Sequence, residues 1–477
     1  MAHVTEPTTP PSARAMERFI EQSPGLQQPQ LYVPIPGLPT LPDLKKLARD
    51  RRAAGHEVID QSAGDIDDVG QPLSDEFPAW IEEARDRIVS AGCDELRRTS
   101  GDAFGFPGNY QQQYPAVVEV LVASWGVKET PVRAMQTVSG RTAIDLVFRG
   151  LISRADKADK AGKTGKRALI FDTLEWSGYQ PLAKVLDLEM VHAPAVPSHG
   201  LSSSAEGLGA ALDYARAEGL TPIAAVPILP SNPTGVGMER AELARYIETA
   251  AKADLPVMID AFYSPLVPEG HAHAVPLGWL ENELAPEALA YLGVLVGETK
   301  VTSSQNKTAT MIWMAPKGHD ANANTVIDAA LTRMRAINSY PRPQDALVAY
   351  ALHTFPGGVH AAMGPRYQAL DATRQAMRAA CDAYDLPLAI GGSFYGTAAL
   401  VDKDGQSLIR DDAGRPLTDP KQVSELLINQ FGLVGAPGGM FCPAPEGASM
   451  VRLTAAVTLE DVDKVRGIFG QLVEAAN

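Results

Sequence analysis

Ile223-Ala224-Ala225-Val226-Pro227-Ile228 leads into Ser231-Asn232-Pro233-Thr234-Gly235, Val257-Met258-Ile259 leads into Asp260-Ala261-Phe262-Tyr263, and Leu292-Gly293-Val294-Leu295-Val296 leads into Gly297-Glu298-Thr299-Lys300. Each apolar run has the length of a buried strand, and each ends in a useful group: an amide in a turn, a carboxylate, an amine. Working outward, Ala168-Leu169-Ile170-Phe171 is a fourth such run, and helical stretches separate the runs from about residue 80 to 335. This alternation predicts an α/β fold with a mostly parallel sheet covered by helices. Ligand groups gather at the carboxyl ends of such strands, which is where Asn232, Asp260 and Lys300 fall.

In this order the three segments resemble the aminotransferase class I/II family, fold-type-I enzymes that hold pyridoxal 5′-phosphate (PLP) and use its ring as an electron sink. The resemblance runs from about residue 44 to 475. It implies a large PLP-binding domain over 80–338 and a smaller C-terminal α/β domain over 339–477. Residues 44–79 would pack on the small domain, with a strand-like Glu57-Val58-Ile59-Asp60-Gln61 and a turn, Ser62-Ala63-Gly64-Asp65, whose Gly64 lies near the substrate. Residues 1–43 are rich in proline, glutamine and threonine and read as an arm, either lying on a partner subunit or disordered.

Lys300 is assigned as the Schiff-base lysine, whose amine joins C4′ of the cofactor and, once displaced, moves the Cα proton. Gly297-Glu298-Thr299-Lys300 fits the family's small-x-small-lysine signature. The family's phosphate-binding arginine follows one or two helical turns later. Lys307 occupies that place here, supplying charge without the planar fork of an arginine. In the rival assignment Lys307, in Ser304-Gln305-Asn306-Lys307, is itself the Schiff-base lysine.

The resemblance also implies that Asp260 pairs with the pyridine nitrogen and that Asn232 and Tyr263 hydrogen-bond the phenolic O3′. Ser139-Gly140-Arg141-Thr142, ahead of the helical Ala143-Ile144-Asp145-Leu146-Val147, resembles the phosphate loop, with Arg141 replacing a small hydroxyl residue. Trp176 matches the aromatic that stacks on the ring, and Tyr110 the tyrosine that reaches the phosphate of the neighbouring subunit. Arg452, in Ser449-Met450-Val451-Arg452-Leu453-Thr454, resembles the arginine that grips the substrate α-carboxylate. Plainer readings stand beside these: Asp260 and Ser139 as caps, Asn-Pro-Thr-Gly as a turn, Trp176 as core filler, Arg452 as a surface residue.

The 42 basic and 57 acidic residues leave a net charge of −15, which argues against a nucleic-acid or acidic-membrane surface. A content of 45% apolar and 21% charged residues over 477 positions predicts a globular protein with more than one domain. Cys93, Cys381 and Cys442 lie far apart with no CxxC spacing, so they read as structural thiols of a reducing compartment. The first residues lack a signal-peptide pattern and no run is long enough for a membrane helix, which predicts a cytoplasmic protein. His271-Ala272-His273 and the other histidines have no metal-ligand spacing, Asp67-Asp68 reads as a solvated turn, and no metal is expected. Ala155 to Lys166 reads as a solvated loop, and Asp402 to Pro420 as an insertion or extended hairpin.

The expected function is an aminotransferase acting on an amino acid or amino-acid-bearing substrate through an external aldimine and a Cα-deprotonated quinonoid, in a homodimer with the site at the subunit interface. The alternative is a PLP-dependent lyase or synthase that diverts the same carbanion to elimination, cyclisation or carbon-carbon bond formation on an S-adenosylmethionine-type substrate. A regulatory PLP-fold module would need a DNA-binding domain, for which the first 43 residues are too short and insufficiently basic.

Overall fold

Aliphatic strands buried on both faces form the centre of an eight-stranded sheet. In the computed structural model, which describes residues 10–35, 37–62, 73–98, 104–105, 113–158, 165–268, 271, 274–275, 277–302, 307–411 and 413–476, the strand order is Gln30–Leu31, Glu189–His192, Arg167–Phe171, Thr221–Ala225, Val257–Asp260, Leu292–Gly297, Ala309–Met314, Val132–Thr137. The five strands from Glu189–His192 to Leu292–Gly297 pair in parallel. Ala309–Met314 runs antiparallel to both of its neighbours, and Gln30–Leu31 is an antiparallel edge.

The strand period of two sorts side chains into two cores. Leu169, Phe171 and Met258 meet Ile144, Val147 and Leu151 of the helix Gly140–Ala158 and Val326 and Ile327 of Ala321–Ala336. Ala168, Ile170, Val257 and Ile259 meet Leu208 and Leu212 of Ala205–Ala217 and Leu243 and Ile247 of Arg240–Lys252. Every apolar run identified in the large sheet is therefore a strand. The helix Gly140–Ala158 continues into the stretch read as a solvated loop.

A second, antiparallel sheet has the order Leu388–Ile390, Tyr395–Ala399, Met450–Thr454, Ala436–Pro437. The helices Gly358–Asp382 and Leu459–Ala476 cover it through Met377, Cys381, Val465 and Phe469. Ile59–Asp60 pairs in parallel with Leu433–Val434 as a separate two-stranded ladder. This ladder carries Gln61 and Ser62 to the second sheet, where Gln61 Oε1 accepts from Thr454 N at 3.3 Å. Residues 401–411 and 413–417 carry two successive bridges, Val401–Ser407 and Arg410–Pro416, with backbone amides in each capped by the carboxylates of Asp402 and Asp411.

The N-terminal extension differs from the arm expected of it. Pro11–Glu21 is a helix whose Ala15, Met16, Phe19 and Ile20 are buried in one cluster with Leu201, Ala389, Ala399 and Phe441. Ser12 N donates to Asp382 Oδ1 at 2.7 Å and Gly25 N to Glu446 Oε1 at 2.9 Å. The flanking prolines, glutamines and threonines conceal an apolar stripe of helical spacing, which fastens the helix to the second sheet, while Gln30–Leu31 joins the large one.

Candidate active site

Strand ends and one helix start surround a cavity of about 510 Å³. At its floor Asp260, the last residue of Val257–Asp260, is only 4% exposed. The Tyr179 hydroxyl donates to its Oδ2, and Phe262 N donates to its Oδ1 at 3.2 Å. Burial pushes the carboxyl up to about 6, against the opposing pull of the two hydrogen bonds and of Lys300. A carboxylate offers about four lone-pair directions, so it retains capacity for another donor. Burial and the charge of Asp260 hold the Tyr179 phenol well above its ordinary value, so it remains a donor.

Asn232 stands in the turn after Thr221–Ala225, where Ser231 N bonds Val236 O and Gly235 N bonds Ser231 O, both at 2.7 Å. Gly235 has φ +70°, and a Cβ there would lie 2.3 Å from Tyr395 O, so only glycine lets this turn close against the second sheet. Asn232 Nδ2 donates to the Tyr263 hydroxyl at 3.1 Å, and its Oδ1 accepts from Arg452 Nη1 at 3.0 Å. One amide thus links the phenol and the guanidinium across the cavity.

Arg452 is buried in the middle of Met450–Thr454, its guanidinium 4.3 Å from the Tyr395 ring centroid and 5.2 Å from that of Phe441. Nη2 donates to Ser62 O at 3.0 Å, while Nε has no partner among the described residues. A buried cation with an unsatisfied donor is suited to a carboxylate arriving from the cavity.

The helix Gly140–Ala158 begins at the opposite wall. Thr142 N donates to Ser139 Oγ at 3.2 Å, so Ser139 caps the helix, and the remaining first-turn amides and the exposed Arg141 border the cavity. A Cβ on Gly140 would lie 2.7 Å from Phe262 Cζ, and one on Gly297 2.6 Å from Phe262 Cε1. The Phe262 ring thus occupies the space that both glycines leave, drawing the helix start against the strand end. Trp176, half-buried beyond Arg167–Phe171, has Arg141 Cζ 5.4 Å from its ring and Tyr179 edge-on at 5.5 Å.

Lys300 lies in the turn after Leu292–Gly297, half-buried, with Nζ 5.8 Å from the Tyr263 ring centroid. Lys307 is exposed and borders the same cavity. The structure therefore brings Ser139, Gly140, Arg141, Trp176, Asn232, Asp260, Tyr263, Lys300, Lys307 and Arg452 to one place. Tyr110 and Gly64 lie outside the described residues. Sequence reasoning missed Tyr179, which holds Asp260, and Tyr395, which stacks on Arg452. Tyr179 follows Trp176 by three residues at a helix start, a usable signal, whereas Tyr395 reaches the site only through the second sheet.

The family model for aminotransferase class I and II matches residues 58–468. The chain belongs to the aminotransferase class I and II family. This aminotransferase-family chain resembles solved structures in fold. An aspartate aminotransferase from Rhizobium meliloti is 14% identical, with 93% of this chain and 99% of that one covered at a TM-score of 0.67. An archaeal alanine:glyoxylate aminotransferase is 17% identical, with coverage of 91% and 95% and a TM-score of 0.66. The Thermus thermophilus aspartate aminotransferase with maleate is 18% identical, with coverage of 90% and 95% and a TM-score of 0.62. No curated protein matches the sequence. Members of the aminotransferase family are PLP-dependent transferases, and the protein is an aminotransferase-like enzyme with their α/β fold. No described helix is long and apolar enough to cross a membrane, and no described side chains form a cluster that could hold a metal ion.

Proposed function

We propose that the protein is a PLP-dependent aminotransferase in which Lys300 is the lysine that joins the cofactor, with an amino acid or amino-acid-bearing compound as substrate. The observation that carries this reading is the convergence on one cavity of an amine, a buried carboxylate, a buried guanidinium and a helix N-terminus. The donor set fits the cofactor. Asp260 supplies the acceptor that a protonated ring nitrogen needs, and the helix start with Arg141 and Lys307 supplies amides and positive charge for a phosphate. PLP supplies an electron sink for the electrons of a broken Cα bond.

This chain's own residues do the rest. Arg452 binds the α-carboxylate, with Asn232 fixing the plane of the guanidinium. Asn232 and Tyr263 direct donors at the ring oxygen, and Trp176 supplies an apolar wall. Lys300, once released, is the base that takes the Cα proton and returns it. The same proposal includes a homodimer with Tyr110 reaching the partner's site, Gly64 beside the substrate, and a cytoplasmic location. Family membership supports the first two, and the three free thiols support the last.

Borohydride reduction of the PLP-loaded protein, followed by peptide mapping, tests the reading. A pyridoxyl label on Lys300 is expected, with Lys300→Ala unlabelled. A label on Lys307 transfers the role to that residue, and no label removes the proposal. Oxo-acid-dependent amino transfer separates an aminotransferase from a lyase or synthase.

A further inference from the structure

The turn that carries Lys300 is held by two side chains outside the cavity. Glu298 begins the turn, and its carbonyl accepts from Val301 N at 2.8 Å and Thr302 N at 2.9 Å, closing the backbone around Thr299 and Lys300. Its carboxylate points away to His353, with Oε1 and Nε2 3.3 Å apart and the two side chains 3% and 2% exposed. The far end of the turn is held by Arg366, whose Nη1 donates to Val301 O. His353 belongs to the helix Pro343–Thr354 and Arg366 to the next, Gly358–Asp382.

We propose that the buried Glu298–His353 pair and Arg366 form a two-point clamp that aims Lys300, which makes His353 a positioning residue of this enzyme. The inference rests on Lys300 being the cofactor-linking lysine. The imidazole is met from its other side as well: Ser124 Oγ donates to Leu121 O at 2.7 Å and lies 3.2 Å from His353 Nδ1. A pair of this kind contributes little to stability, because replacing both partners with apolar residues is often neutral or favourable. Its presence two residues before Lys300 is explained by geometry: a small misplacement of a reacting group costs up to about a hundredfold in rate.

The test mixes the cofactor-free forms of wild type, H353L, H353Q and E298L/H353L with PLP, times the growth of the visible absorption band, then reduces with borohydride and maps the label. Wild type is expected to label Lys300 alone. H353L is expected to form the band at least about tenfold more slowly and to divide its label between Lys300 and Lys307. H353Q, whose amide still donates to Glu298, returns toward the wild-type rate. E298L/H353L melts at the wild-type temperature yet remains slow, an outcome that a purely structural pair would not produce. Wild type labelled on Lys300, together with H353L at the wild-type rate and labelled on Lys300 alone, overturns the clamp while leaving the proposed function standing. A wild-type label on Lys307 or nowhere overturns both. If H353L does not fold, the double variant decides: wild-type rate and label there overturn the clamp.

Discussion

Asp260 is held in a setting that a cationic partner would improve. Its carboxyl rises from 3.8 to about 6 in the folded protein, so the unfolded chain releases this proton first as pH increases. The group therefore costs stability progressively between pH 4 and 6, by up to about 3 kcal/mol above that window. Asp260→Asn removes the cost. In melts at pH 7.5 the cofactor-free variant is expected to be at least as stable as wild type, while the rise in melting temperature on adding PLP is smaller. At pH 4 the two cofactor-free proteins should differ least. Arg452→Lys keeps a charge but loses the fork and the bond to Asn232. Steady-state kinetics should show KM for the amino-acid substrate rising at least about tenfold, with a smaller change in kcat. Asp260 was legible because it ends an apolar run, and Arg452 because a lone cation interrupts one. Tyr179 was overlooked although its place three residues after Trp176 was a usable signal, whereas Tyr395 was not legible, since a stacking ring carries no motif of its own.

At the scale of elements, the site depends on how closely the helix Gly140–Ala158 approaches the end of Leu292–Gly297. Gly140→Ala places a Cβ 2.7 Å from Phe262 Cζ and forces the ring or the helix start to move. The overpacking is expected to cost about 1–3 kcal/mol in chemical denaturation and to weaken PLP binding measured by titration. Gly209→Ala, inside Ala205–Ala217 with no atom near its Cβ, is the control, expected to stabilise by roughly 0.5–1 kcal/mol. The large sheet was legible because its central strands are continuous aliphatic runs, a pattern that buried parallel strands require. Ile59–Asp60 falls inside the strand-like stretch read at 57–61, but the two-residue strands Leu433–Val434 and Ala436–Pro437 were harder to read, because so short a ladder has no periodicity. Their pairing depends on what the rest of the chain brings alongside.

Over the whole molecule, residues 10–31 join parts that are distant in sequence. Gln30–Leu31 extends the large sheet, while the helix Pro11–Glu21 reaches the second sheet through Ala389 and Ala399. Deleting residues 1–31 strips cover from that cluster and from the Glu189–His192 edge. The loss expected in urea denaturation is at least about 3 kcal/mol, since Met16, Phe19, Ile20 and Leu26 are all buried. Composition concealed this segment because proline and glutamine dominate its average, whereas burial depends on where a few apolar residues recur.

The order in which the chain is made gives that arrangement a further meaning. Gly25 bonds a residue 421 positions later, and at about 5–20 residues per second the ribosome takes roughly 20–80 s to supply it. For most of that interval, until Ala389 and Ala399 have been made, Met16, Phe19 and Ile20 have none of their second-sheet partners and present a greasy stripe to solvent. The segment that fastens the finished protein is thus one that a chaperone would shelter in the nascent chain.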